Sequence, residues 1–410
     1  MINSFFKTKV INDNEIEIIK YTGSGGDVVI PEEIDGNKVV TIGDSAFREC
    51  IGLKSVIIPD SVKYIGSSAF YGCIGLTDLT IGNSVKTAGR YAFAECTGLT
   101  SIEIPNSFIC IQLGTFYGCT GLIDIKIPNG VKAIENSAFL GCTRLTSIKI
   151  PDSVTSIESF AFNRCTGLES VEISNSVTNL GSWSFGSCSS LASIKIPNSV
   201  IEIEEAAFAG CTGLTSIEIP DSVEEIQPSA FCECTALTCV KIPNNVTEIE
   251  SATFACCTAL TSIIIGNSVE KISYRAFLNC TALTSITIPE SVTKIEERAF
   301  EGCSNLTIME FQGRIRLKSV KFLHSLLNST EIILHKGCSQ LLLKEIINYA
   351  IENDVESMIK EEYLYWISKD FFEPLIEYAN EKDRLSIIAK LMSVYNKRFG
   401  GRGGVRIKEI

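Results

Sequence analysis

The sequence predicts a repeat solenoid, in which short coils stack on one another, followed by a small all-α C-terminal domain. Phenylalanine recurs every 23 residues, twelve times without an insertion, at positions 47, 70, 93, 116, 139, 162, 185, 208, 231, 254, 277 and 300. A cysteine follows each of these phenylalanines by three positions, and a leucine follows each cysteine by three. The chain has 410 residues, more than one hydrophobic core normally serves, which also favours an array.

Each repeat contains one strand and one turn. Leu99, Ile102 and Ile104 have the L-x-x-L-x-L spacing of a leucine-rich repeat, whose strand directs these side chains inward. Ser101 and Glu103 alternate with them and therefore point outward. The Pro-Asn-Ser segment that follows predicts a turn, because proline presets φ and asparagine bonds nearby backbone. We therefore expect a right-handed leucine-rich-repeat solenoid with a parallel β-sheet.

The ends of the array set the domain boundaries. A single coil cannot bury its own apolar face, so the coils must stack, and both ends need caps. At ~4.8 Å per strand, twelve coils span roughly 55 Å. Residues 15–46 read as a degenerate first coil and cap, and Gln312 replaces the recurring proline. We predict four parts, in chain order: a cap and degenerate first coil (1–42), the solenoid (43–312), a helical domain (313–398) and a flexible tail (399–410).

The helical domain is predicted from a change of period after residue 313. Residues 341–351 have apolar positions at helical spacing, and further helices are expected across 371–381 and 385–398. The turn at 380–383 separates the last two and predicts an antiparallel helical hairpin. The glycine-rich run at 400–404 predicts a flexible end.

Two segments carry a family resemblance: IPDSVTSIESFAFNRCTGL at 150–168 and YTGSGGDVVIPEEIDGNKVVTIGDSAF at 21–47. They resemble the repeat and the cap of the BspA-like leucine-rich-repeat proteins of bacteria, and the resemblance covers about residues 15–312. Members of that family are often cell-surface proteins that bind host or bacterial macromolecules. The resemblance therefore implies a binding protein.

Charge and hydropathy exclude some partners. The formal net charge is −12, so the basic patch of a nucleic-acid binder is missing. The same negative charge repels anionic membranes, so we expect neither nucleic acid nor an anionic membrane as a partner. No stretch approaches the ~18 apolar residues of a membrane span, so we expect no membrane insertion. The first residues lack the apolar core of a signal peptide. We expect a cytoplasmic protein, with the cell surface or secretion as the alternative if the N-terminus was trimmed.

The cysteine column is the most conspicuous chemistry in the sequence. It holds twelve of the 17 cysteines. One interpretation is a ladder of buried free thiols between the phenylalanine and leucine columns; an alternating disulfide array is the other, although parallel side chains fit the disulfide dihedral poorly. We interpret the extra cysteines Cys232 and Cys256 as substituted neighbours of ladder positions. Without a C-x-x-C motif, and with two histidines in the whole chain, we expect no metal and no cofactor.

Catalytic residues are not predicted. His324 and His335 lie outside the array, and the glycines at 23–26 precede a strand rather than a helix, unlike a nucleotide-binding loop. In some bacterial leucine-rich-repeat proteins a ubiquitin-ligase domain has its nucleophilic cysteine followed two residues later by aspartate. Cys338 is followed by Ser339 and a glutamine, which differs from that pattern. An enzyme located in residues 313–410 stays a third hypothesis, behind two kinds of binding protein.

The outward positions of the strands are the candidate site. One of them is charged in seven successive coils and is flanked by hydroxyl side chains, including Thr100, Ser147, Ser193 and Ser216. Cross-strand ion pairs that keep the sheet soluble are one interpretation. The other interpretation is a concave face that recognises a partner. We expect that partner to be a protein, with a glycan as the alternative, and we expect the chain to be a monomer. The candidate residues are Ser101, Glu103, Lys126, Lys149, Glu172, Lys195, Glu218 and Lys241.

Overall fold

A computed structural model describes residues 3–312, 331–334, 340–353, 364 and 367–399 of the chain. Residues 3–312 form a solenoid of parallel strands, which confirms the predicted fold class. Each coil has a strand in a main sheet, a two-residue strand in a second ladder, and a turn segment that contains the recurring phenylalanine. We call these sides the main sheet, the short ladder and the turn face.

The main sheet consists of parallel strands spaced by one coil. In most coils this strand is short because proline or glycine and a turn follow it. Its strands are β3 (Gly26–Val29), β6 (Leu53–Ile58), β8 (Asp78–Ile81), β10 (Ser101–Glu103), β11 (Asp124–Lys126), β13 (Ser147–Lys149), β15 (Ser170–Glu172), β17 (Ser193–Lys195), β19 (Ser216–Glu218), β21 (Cys239–Lys241), β23 (Ser262–Ile264), β25 (Ser285–Ile288), β27 (Ile308–Phe311) and β28 (Glu331–Leu334).

The short ladder is a second parallel sheet, which runs beside the first. Each of its strands ends at the last residue of the second apolar pair of the repeat. That residue is an isoleucine, leucine or alanine, and its side chain is buried. Its strands are β5 (Asn37–Ile42), β7 (Tyr64–Ile65), β9 (Thr87–Ala88), β12 (Ala133–Ile134), β14 (Ser156–Ile157), β16 (Asn179–Leu180), β18 (Glu202–Ile203), β20 (Glu225–Ile226), β22 (Glu248–Ile249), β24 (Lys271–Ile272) and β26 (Lys294–Ile295).

The hydrogen bonds that join the coils run in both directions along the solenoid. On the turn face the N–H of Phe47 donates to the carbonyl of Ala69, one coil further along, at 2.7 Å. On the short ladder the N–H of Gly66 donates back to the carbonyl of Ile42, also at 2.7 Å. Equivalent bonds recur from coil to coil, so each coil is tied to both of its neighbours.

The recurring phenylalanines form a continuous stack through the core. From Phe47 to Phe300 successive rings are stacked, with centroids 4.8 Å apart at the first pair and 5.2 Å at the last. The rings at 47 and 70 are fully buried, as are their successors along the column. Parallel rings at this spacing are offset-stacked, an arrangement that aromatic pairs favour.

The N-terminal cap is a β-hairpin. Strands β1 (Phe6–Asn12) and β2 (Glu15–Tyr21) pair in antiparallel fashion, and β2 pairs in parallel with β5. The two-residue strand β4 (Glu33–Ile34) forms a second small hairpin with β5. Tyr21 extends the aromatic stack, since its ring lies 5.0 Å from that of Phe47. The hairpin therefore covers the first coil.

The main sheet continues beyond the predicted end of the repeats. Strand β28 pairs in parallel with β27, and Glu331 lies opposite Ile308, 23 residues earlier. The sequence predicts only helices after residue 313, so this strand is not among the predicted elements. The reason is that the EIIL segment keeps the 23-residue spacing but lacks the phenylalanine and cysteine that mark the other coils.

Within the described residues of the C-terminal part, three helices have defined bounds: α1 (Gln340–Asn353), α2 (Lys369–Glu381) and α3 (Leu385–Phe399). They confirm the three helices expected from the sequence. Tyr395 donates to Glu373 at 2.6 Å, which brings the end of α3 to the start of α2 and makes the pair antiparallel. The predictions at His324, His335, Cys338 and 400–404 lie outside the described residues.

Candidate functional site

The candidate site is the outer face of the main sheet. Within each of its three-residue strands the middle side chain is buried and the two flanking side chains are exposed. Because successive side chains of a strand point to opposite faces, the predicted residues form rows across the sheet. The structure exposes every one of the eight: Ser101, Glu103, Lys126, Lys149, Glu172, Lys195, Glu218 and Lys241. The seven charged members form a row that we call the charged ladder.

Strand pairing brings the charged ladder into register. Glu103 lies opposite Lys126 in one pair of strands. Lys149 lies opposite Glu172 in the next pair, and Lys195 opposite Glu218 in a third. Parallel strands lie ~4.8 Å apart, so a partner that lies along the solenoid would meet one charge per coil.

One of these opposed pairs closes into an ion pair. The Nζ of Lys149 lies 2.7 Å from Oε1 of Glu172, and Glu172 raises the pKa of the Lys149 ammonium. Both side chains are about 70% exposed, so the ion pair contributes little to stability.

The other opposed charges stay apart. Within residues 3–312, no ion pair within 4.0 Å joins Lys195 to Glu218 or Glu103 to Lys126. Lys241 instead approaches Asp221 of the preceding turn at 3.8 Å. The interpretation of the ladder as mutually neutralising ion pairs is therefore wrong for most of it. The reason is that water solvates exposed charges as well as a salt bridge does.

Two grooves lie on this face, one near each end of the charged ladder. The first has a volume of about 530 Å³ and is lined by Glu103, Lys126 and the Pro105 turn. The second has a volume of about 520 Å³ and is lined by Glu218, Lys241 and neighbouring residues. Both grooves are lined by residues of the main-sheet strands and of the turns that follow them.

Sequence reasoning missed some residues of the second groove. Asp221 belongs to the turn after β19, and Cys239 and Ile264 hold outward positions of β21 and β23. Ile264 is 65% exposed and follows Lys241 in the same row. The 23-residue spacing places Ile264 in this row, but its side chain carries no charge, so the charge pattern alone ends at Lys241.

The cysteine column is structural. In eleven successive coils, from Cys73 to Cys303, the buried Sγ donates to the carbonyl of the phenylalanine 26 residues earlier, as Cys142 does to Phe116 at 3.2 Å. These cysteines are free thiols, which confirms the ladder interpretation over the disulfide array. Burial raises the pKa of the Cys119 thiol to about 12, and that of Cys211 likewise to about 12. Such thiols are not nucleophiles at neutral pH.

Among the described residues, no group of three or more histidine, cysteine, aspartate or glutamate side chains could hold a metal ion. Over the same residues, no helix combines the length and the apolar content that crossing a bilayer requires.

Comparisons with known proteins agree with the fold. Among curated proteins, none matches the chain. A leucine rich cell surface protein of Faecalibacterium prausnitzii is 32% identical, with 78% of this chain and 96% of that one covered and a TM-score of 0.51. A leucine-rich repeat protein of Bacteroides ovatus is 26% identical, with 81% and 98% covered and a TM-score of 0.64.

The family assignment rests on the repeats themselves. Residues 28–143, 111–238 and 225–353 match the family described as "BspA type Leucine rich repeat region (6 copies)". The last match extends past residue 312, as the main sheet does. Repeat scaffolds of this kind are typical of protein-binding and surface proteins. The chain belongs to the BspA-type leucine-rich-repeat family.

Proposed function

We propose that the chain is a non-enzymatic scaffold that binds a protein partner on the outer face of its main sheet. The observation that carries the proposal is the charged ladder, whose charges are exposed, in register and mostly unpaired among the described residues. Charges of this kind are available to a partner with complementary charges, which gives specificity and a faster association. The scaffold itself uses no cofactor and acts as a monomer.

The two grooves also favour the outer face of the main sheet as the binding surface. Interfaces obtain most of their binding energy from a few anchoring side chains in pockets, while charges at the rim set the register. The second groove provides an apolar side chain, Ile264, beside two charges, Glu218 and Lys241. A protein segment with an apolar anchor and mixed charge would fit these features.

The test compares two charge-reversal variants that leave the net charge unchanged. Lys195→Glu with Glu218→Lys alters the charged ladder, and Lys132→Glu with Glu224→Lys alters exposed residues near the short ladder. Each is used as bait against host extract and against an extract of the producing cell. A protein that binds the wild type and the second variant but not the first supports the proposal. Equal capture by both variants, with unchanged thermal unfolding, contradicts it.

A second candidate function is a cell-surface adhesin that binds a host protein or a glycan. The similarity to a leucine rich cell surface protein of Faecalibacterium prausnitzii favours it. Protease treatment of intact producing cells distinguishes the two candidates, because a surface protein is cleaved and a cytoplasmic one is protected. A glycan array screened with the purified chain then separates glycan from protein binding.

A further inference from the structure

Two cysteines outside the buried column lie side by side on the turn face. Cys232 follows Phe231 by one position, and Cys256 follows Phe254, in the next coil, by two. The N–H of Glu233 donates to the carbonyl of Ala255 at 2.8 Å, so the peptide groups that adjoin the two cysteines are hydrogen-bonded to each other. A coil spacing of ~4.8 Å and a one-residue offset of ~3.8 Å place the two Cα atoms about 6 Å apart. That separation suits a disulfide.

This pair differs from the cysteine column in geometry. Column cysteines hold equivalent positions in successive coils, so their side chains are parallel and each thiol is engaged by a phenylalanine carbonyl. Cys232 and Cys256 hold non-equivalent positions, and Cys256 has the left-handed backbone with φ 60°. Their Cβ atoms therefore leave the backbone in different directions. A disulfide between Cys232 and Cys256 is therefore not restricted to the parallel side-chain geometry of the cysteine column, which fits the disulfide dihedral poorly.

Both thiols are partly accessible to solvent, and Cys256 influences the titration of Cys232. Each is only partly buried, unlike Cys234 and Cys257 beside them. Burial, Glu233 and the neighbouring Cys256 together raise the pKa of Cys232 to about 11. The influence of Cys256 on that thiol agrees with the short separation inferred from the backbone.

The surroundings assign different roles to the two sulfurs. The side-chain amide of Asn279 donates to Sγ of Cys256 at 3.8 Å. Cys232 lies beside Glu233, whose negative charge disfavours its thiolate. Cys256 is therefore the sulfur that reacts first with an external disulfide, and Cys232 is the sulfur that resolves the product.

We propose that Cys232 and Cys256 form a reversible disulfide by exchange with a low-molecular-weight disulfide of the glutathione type. The Cys256 thiolate attacks one sulfur of that disulfide, whose S–S bond breaks, and the released thiolate takes up a proton. Cys232 then gives up its proton and attacks Sγ of Cys256, which releases the second small thiol. Two protein thiols are oxidised and one external disulfide is reduced to two thiols. The bond ties two adjacent coils together on the turn face.

The experiment is a disulfide map of the full chain after treatment with oxidised glutathione. Free thiols are alkylated without reduction, and the chain is cleaved after lysine and arginine, which separates Cys232 in residues 196–241 from Cys256 in residues 242–271. We expect a linked pair of these peptides that reducing agent removes. Fragmentation of the wild-type pair should place the bond at 232 and 256, so the assignment does not depend on how any variant folds.

Variants test the order of the two steps. Cys256→Ser should leave Cys232 unmodified, whereas Cys232→Ser should leave a stable glutathione adduct on Cys256. Cys239→Ser, which changes the exposed cysteine in the same peptide as Cys232, should leave the linked pair at wild-type yield. The proposal is overturned if the wild type gives only adducts, if the bond maps to other cysteines, or if either single variant still yields the linked peptides.

Discussion

At the scale of single residues, two positions in each coil hold a left-handed backbone. They lie two residues before and two residues after the recurring phenylalanine, as at Ser45 and Glu49 around Phe47. Some coils have glycine there, such as Gly118, and others have bulky residues, such as Tyr91. Since the occupants share no side-chain chemistry, the sequence pattern did not reveal these positions. Glycine after the phenylalanine in several coils was the available signal.

A glycine substitution at one of these positions should stabilise the fold. Glu233 has φ 60° and is exposed, so Glu233→Gly removes backbone strain with little loss of packing. We expect the free energy of unfolding to rise by about 1 kcal/mol. Gly210→Ala, at the equivalent position with φ 73°, should lower it by a similar amount. Denaturant unfolding of both variants measures this, and a destabilised Glu233→Gly would contradict it.

The thiols of the column should be protected in the native state. Burial raises the pKa of Cys119 to about 12, and alkylation requires a solvent-accessible thiolate. With iodoacetamide at neutral pH, we expect rapid labelling of the exposed Cys239 and none of Cys119 until denaturant is added. Peptide mass spectrometry reports each site. Native labelling of Cys119 at the rate of Cys239 would show that the column opens readily.

At the scale of elements, the phenylalanine stack makes each coil depend on its neighbours. Phe162 lies between Phe139 and Phe185, with ring centroids at 5.2 and 5.4 Å. Phe160, two residues earlier, is 39% exposed on the turn face, and its ring stacks on that of Trp183 with centroids 6.4 Å apart. The same residue type therefore has a core role and a surface role within one coil.

Truncation of these two phenylalanines should separate the roles. Phe162→Ala leaves a cavity between two coils and should lower the free energy of unfolding by about 3–5 kcal/mol. Phe160→Ala removes part of a surface contact and should cost about 1 kcal/mol or less. Equilibrium denaturation of both variants checks the difference. Equal losses would mean that the stack does not carry the stability of the array.

Strands were predictable where the repeat marks them. Period and alternation identified the buried Ile102 and the exposed Glu103, because the core requires the same side chains in every coil. Strand β28 lacks the marker residues, and β1 has almost no buried face, so neither has such a signal. The ion pairs of the charged ladder were not predictable either. Exposed side chains choose among many rotamers, and spacing does not decide whether Lys195 reaches Glu218.

At the scale of the whole molecule, stability depends on the end of the stack as well as on the coils. Strand β2 buries Ile16 and Ile18 against the first coil, while β1 is exposed along most of its length. Tyr21, at the end of β2, covers the ring of Phe47. The two strands of the hairpin thus contribute unequally to the cap.

Stepwise truncation should show which strand is the cap. Removal of residues 1–12 takes away β1 and should leave a soluble protein whose size in solution is unchanged. Removal of residues 1–21 also takes away β2 and uncovers apolar core, so we expect self-association. Light scattering at increasing concentration measures both. Self-association of the first variant to the same degree would contradict the assignment of β2 as the cap.

The hydrogen bonds between coils also determine how the molecule is polarised along its axis. Each peptide group is a dipole whose positive end is the N–H. The N–H groups of Ser45, Phe47 and Glu49 on the turn face point toward the C-terminal coils, whereas those of Lys63 and Gly66 at the short ladder point toward the N-terminal coils. In an α-helix all such dipoles add, whereas here dipoles of both directions oppose one another. Each added coil therefore adds less to the axial dipole than the same number of aligned peptide groups would.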